Sequence, residues 1–132
     1  MNMKKILITL TLILSFLLSF AQETTFSKSS RMSYGYKDEN TGEFKFGPFQ
    51  DIEPVFIKIR VNEITINSKV PQFYYINSAA IPLENTKGSY WYALDNKDTR
   101  CRVYLYMDAF SDIFVGVEYS DYSWIYNIHP VK

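Results

Sequence analysis

From Arg31 to the C-terminus, outside 78–88, the apolar residues recur in segments at every second position and not at helical spacing. Met32, Tyr34 and Tyr36 alternate with Ser33, Gly35 and Lys37; in "VFIKIRV", Val55, Ile57, Ile59 and Val61 share one face and Phe56, Lys58 and Arg60 the other. Side chains of a strand point alternately to its two faces, so a period of two predicts strands with one face in a core. Turn chemistry separates them. "DENTGE" supplies a reversal with Gly42 free to take a positive φ, and Phe44 and Phe46 return from it. Pro48 and Pro54 interrupt "GPFQDIEP", because proline cannot donate to a ladder. Asn62–Glu63 fits a two-residue hairpin turn before "ITIN", and "SKVP" leads into "QFYYIN". Ser78 to Gly88 shows no alternation and is the expected long loop; "SYWYALD", "RCRVYLYM", "IFVGVEY" and "YSWIYNI" close the chain.

About eight strands joined by short reversals predict an all-β, antiparallel up-and-down meander. A small calycin-like barrel is the favoured form, since closure removes exposed sheet edges; a curled sheet or sandwich is the alternative.

The N-terminus has a different character. Lys4 and Lys5 precede an apolar run from Ile6 to Phe20, and Ser19 and Ala21 stand three and one residues before a cleavage point. That is the pattern of a secretory signal peptide, with a run short of the ~20 residues a membrane span needs. The expected organisation is a signal peptide at 1–21, a loose polar leader at 22–30 and a single β domain at 31–132. Gln22 offers no thiol for lipid attachment, so no stable membrane anchor is expected after cleavage. Loss of Lys4 and Lys5 leaves 12 basic and 14 acidic side chains. That balance argues against nucleic acid or an anionic membrane as partner, since either asks for a basic surplus or stripe.

Chemistry-bearing residues are sparse. His129 is the sole histidine and lies near the C-terminus; no Gly-x-Ser-x-Gly elbow accompanies it. One Cys and one His do not make a zinc site, so no metal or other cofactor is expected. Cys101 alternates with Val103, Leu105 and Met107, which makes it a buried apolar residue, while Arg100 and Arg102 point away from it. Asp95, Asp98, Glu118 and Asp121 are the candidate carboxylates for a hydrolase, though three of them sit where turns are expected.

Aromatic residues are the main signal. The chain after the signal holds eleven Tyr, eight Phe and two Trp. Tyr122, Trp124 and Tyr126 share a face of the last strand, Arg102, Tyr104 and Tyr106 share one of another, and "YWY" spans Tyr90 to Tyr92. Such residues fill a small barrel, and they also stack on sugar rings or grip a peptide. The candidate contact set is Trp91, Tyr92, Arg102, Tyr104, Tyr106, Trp124 and Tyr126.

The signal ending in "SFAQ", the Lys/Asn/Ile/Tyr-rich composition and the terminal "YSDYSWIYNI" resemble small exported β proteins of flavobacterial type. The resemblance implies export and β architecture and transfers no catalytic residue. Three roles follow as expectations: a non-enzymatic exported domain binding a small apolar or glycan ligand or a protein, a periplasmic interaction factor such as an inhibitor or toxin-immunity protein, and a carboxylate-dependent hydrolase.

Overall fold

The computed structural model describes residues 24–131, and the expected signal peptide lies outside them. Ten strands run in chain order: β1 (Thr25–Lys37), β2 (Phe44–Phe46), β3 (Gln50–Ile59), β4 (Glu63–Asn67), β5 (Gln72–Ile76), β6 (Ile81–Pro82), β7 (Lys87–Asp95), β8 (Arg100–Met107), β9 (Ile113–Glu118) and β10 (Tyr122–Pro130). Every pairing is antiparallel, and β10 returns to pair with β1. The protein is therefore all-β, an eight-strand closed barrel with β2 and β6 as extra strands beside β1 and β7.

The lumen is built from the alternation. Val55, Ile57 and Ile59 of β3, Ile64 and Ile66 of β4, Val103 and Leu105 of β8, Val115 and Val117 of β9, and Tyr126 and Ile128 of β10 are buried together. Cys101 lies in this core too, and its burial, with the Asp95 carboxylate nearby, pushes the thiol up to about 12. It is protonated and enclosed, hence a packing residue.

β1 carries the device that sets the rest. Ser27 and Ser29 face inward before Arg31, whereas Met32 packs on the core and pairs with the inward Tyr126 after it. Between Lys28 and Arg31 the strand advances three residues while β10 advances two, from His129 to Asn127. This bulge reverses which residues face the lumen. The Ser29 hydroxyl stitches it, donating to the Arg31 carbonyl at 2.8 Å. On its other edge, three residues of β3 around Pro54 face the gap between Ser29 and Arg31, so the proline sits in an irregularity and removes no ladder bond.

Four expectations change. Residues 25–30 form the first half of β1 and are not a loose leader; their inward positions are serines, which hides the strand from an apolar pattern. The β3–β4 hairpin turns at Val61–Asn62, one residue earlier than expected, because Ile59 pairs with Ile64 and the Arg60 N–H donates to the Glu63 carbonyl. Val61 is consequently 66% exposed, apart from its expected partners Val55, Ile57 and Ile59. The stretch 78–88 contains β6, which folds back on β7 through Ile81–Tyr90 and Pro82–Ser89. Pro54 lies within β3, although a break was expected there.

Two glycines answer specific needs. Gly42 takes φ 72° in the turn that Asp38 caps through the Asn40 and Thr41 amides. At Gly35 a Cβ would come within 2.7 Å of the Phe46 ring, so only glycine lets β2 lay that ring on β1.

Ile57→Ala should cost about 2–5 kcal/mol, as for other large-to-small changes in a packed core. Val61→Ala should stay within about 0.5 kcal/mol, as for exposed positions. Urea unfolding of the two variants against the parent measures both.

Candidate functional site

The turns after β1, β4, β7 and β9 all gather at one end of the barrel, where the core gives way to an open cavity of about 490 Å³. Its wall is a continuous aromatic stack. Tyr122 and Trp124 of β10 lie with ring centroids 5.7 Å apart, Tyr119 from the preceding turn lies 5.0 Å from Tyr122 and 5.7 Å from Trp124, and Tyr34 lies 5.9 Å from Trp124. Tyr34 reaches this wall because the β1 bulge turns even-numbered residues inward and sets it opposite Trp124.

The floor is polar and tied together. Tyr74 donates to Gln72 Oε1 at 2.6 Å, while Gln72 Nε2 donates to the Tyr126 hydroxyl at 3.1 Å and to the Ser68 hydroxyl at 2.9 Å. Tyr119 donates to Asp95 Oδ2 at 2.7 Å; Asp95 Oδ1 accepts the Lys97 and Thr99 amides, both at 2.9 Å. Lys69 and Lys97 stand among the lining residues. The Trp124 indole N–H is buried and has no hydrogen-bond partner among the described residues.

The electrostatics favour neutral phenols. Burial raises the Tyr74, Tyr119 and Tyr126 pKa values, with the Asp95 carboxylate adding to the effect at Tyr119. Tyr34 is raised by burial and by Tyr36 and Tyr122. Each ring therefore presents an O–H and an apolar face near neutral pH. At Asp95 burial acts upward, but the bonds from Tyr119, Thr99 and Lys97 outweigh it and hold the carboxyl below its usual range. An ionised carboxylate and a set of neutral donors can hold polar groups by hydrogen bonding.

The expected contact residues divide between two surfaces. Trp124 and Tyr126 belong to the cavity. Trp91 also faces inward, but deeper, opposite Val103 and against the core. Tyr92, Arg102, Tyr104 and Tyr106 face outward on β7 and β8. There Arg102 lies 5.5 Å over the Tyr90 ring and pairs through Nε with Glu118 at 3.1 Å; Tyr104 stacks on Tyr90 and donates to Glu118. Next to this group an outer cleft of about 190 Å³ lies above Gly116 and Ile125, walled by Tyr104 and Tyr106 on one side and Phe44 and Phe46 on the other. The sequence reading missed Tyr34, Tyr119, Tyr122 and Gln72 as cavity residues. The signal for Tyr122 was present in its parity with Trp124, while Tyr34 depended on the bulge.

The four candidate carboxylates do not converge. Asp95 lines the cavity, Glu118 pairs outside the sheet with Arg102 and Tyr104, and Asp98 and Asp121 are exposed in turns. Among the described residues no three His, Cys, Asp or Glu side chains are grouped to hold a metal.

No family model, no curated protein and no solved structure matches this chain.

The depressed Asp95 pKa fixes a pH dependence. Stability from such a group is present above the ordinary carboxyl value of about 3.9 and is lost as pH falls through the lower folded value. The urea midpoint should therefore fall in this acid range, and more shallowly in Asp95→Asn, which has no carboxylate to protonate there. Midpoints measured from neutral pH down to the acid transition test this.

Proposed function

We propose that the protein is an exported, non-enzymatic binding domain of lipocalin-like plan that holds a small ring-bearing ligand in the barrel mouth. The ligand class is a sugar ring or an apolar ring of similar size. The observation that carries this reading is the Tyr34–Trp124–Tyr122–Tyr119 stack facing a cavity of about 490 Å³ above a hydrogen-bonded polar floor. That volume is within the usual range for small-molecule pockets, which combine apolar walls with a few placed polar groups. Aromatic faces accept the flat side of a ring, and Gln72, Asp95 and the phenols supply donors and acceptors for its substituents.

Export rests on the basic residues, apolar run and small-residue exit of the N-terminal segment. The outer cleft beside the Tyr90–Tyr104 pair supports a second reading, a protein-interaction factor that receives a partner's apolar side chain there. The hydrolase reading has little support, since Asp95 and Glu118 lie on opposite faces of the sheet.

Native mass spectrometry of protein from the exported fraction should show retained mass in addition to the chain. Fluorescence titration with simple sugars and with small apolar rings should then saturate with one class. Tyr122→Ala and Trp124→Phe should each weaken that binding by roughly tenfold, the effect of about 1.4 kcal/mol, and Tyr92→Ala on the outer face should leave it unchanged. No retained mass with no saturable binding, or equal losses in all three variants, contradicts the reading. A stoichiometric protein complex sensitive to Tyr104 instead supports the second one.

A further inference from the structure

On the half of the barrel away from the outer cleft, strand register gathers cations and exposed rings into one patch. Ser27, Ser29, Val55, Ile57 and Ile59 face the core, so their neighbours Phe26, Lys28, Phe56 and Lys58 face out. Pairing sets Phe26 beside Lys58 and Lys28 beside Phe56, in a checkerboard of ring and cation. Arg60 follows at the exposed end of β3. Phe26 is 54% and Phe56 53% exposed, and neighbouring Tyr75 on β5 is 52% exposed. Lys58 Nζ lies 5.8 Å over the Phe26 ring.

The cations of this patch outnumber its acidic neighbour Glu63, which stands opposite Arg60 across the β3–β4 hairpin. Lys28, Lys58 and Arg60 form none of the salt bridges among the described residues. Glu63, at the start of β4, accepts a bond from the Thr65 hydroxyl at 3.1 Å. The near-zero charge of the whole chain thus conceals a basic, aromatic stripe. A polyanion in solution would satisfy the cations but leave two phenylalanine rings in water. A bilayer with anionic headgroups offers phosphates to the cations and an apolar layer to the rings, as for other interfacial surfaces. This proposal rests on the export reading, in which the chain crosses a membrane on a leader whose apolar run ends six positions before Phe26.

We propose that the outer face of β1 and β3 docks on an anionic lipid bilayer, with Phe26 and Phe56 entering the headgroup layer and Lys28, Lys58 and Arg60 meeting lipid phosphates. The barrel lies on the membrane and does not span it, because its branched aliphatic residues are packed in the lumen and its exterior carries these charges.

The test is flotation of the exported protein with phosphatidylcholine vesicles, with and without phosphatidylglycerol. The parent should float only with the anionic vesicles, and added salt should release it. Lys28→Gln and Lys58→Gln should each lower partition roughly fivefold, the effect of losing one interfacial cation. The double variant Phe26→Ser/Phe56→Ser, with its cations intact, should lose flotation while keeping any binding to soluble polyphosphate. Circular dichroism melts should stay close to the parent for all variants, since the positions lie on the outer face. Equal flotation with neutral vesicles, no flotation with either, or anionic binding that ignores the phenylalanine changes would overturn the proposal; the last outcome would mark a soluble polyanion site.

Discussion

The pairing of β1 with β10 is the constraint on which the rest of the structure depends. It joins the first strand to the last, removes the two edges that an open meander would expose, and encloses the apolar faces of β3, β4, β8 and β9. A single straight β1 could not serve both halves of the barrel. Its bulge lets serines face the lumen in the first half and Met32 and Tyr34 line the cavity in the second. Without the parity change, Arg31, Ser33 and Gly35 would line the mouth and the tyrosines would lie outside.

Packing and the candidate site are therefore two ends of one arrangement. Toward the closed end, branched aliphatic side chains fill the lumen; toward the mouth, aromatic rings replace them and leave space above Tyr74 and Tyr126. The Tyr74–Gln72–Tyr126 bonds and the Tyr119–Asp95 bond satisfy polar groups at that boundary, which would otherwise carry the cost of unpaired burial. The same bonds hold the floor against which a ligand would rest. The exterior is divided as well, with an ion-paired aromatic cluster on β7–β9 and, on β1 and β3, a face whose Lys28 and Lys58 form no salt bridge among the described residues.

Features set by local chemistry were legible in the sequence. The alternation of "RCRVYLYM" defines β8 from end to end, and "DENTGE" turns where its glycine permits. The shared face of Tyr122, Trp124 and Tyr126 followed from spacing alone. Features set by distant pairing were hidden. Ser27 and Ser29 gave no apolar trace of a strand, because small side chains suffice beside a bulge. Trp91, placed with Tyr92 in one candidate set, points to the core while Tyr92 faces solvent; adjacent strand residues cannot share a face. Tyr34 could be assigned to the mouth only once the β1 bulge was known. The basic stripe escaped notice for a similar reason, since net charge averages over faces that the fold separates.

Native-state hydrogen exchange of the backbone amides tests barrel closure most directly. With β10 paired to β1, the bonded amides in 31–36 and 122–127 should exchange as slowly as those of β8 and β9, through global unfolding. Fast exchange confined to residues 25–36, with β8 and β9 still protected, would mean an open sheet and would contradict both the closure and the mouth it creates.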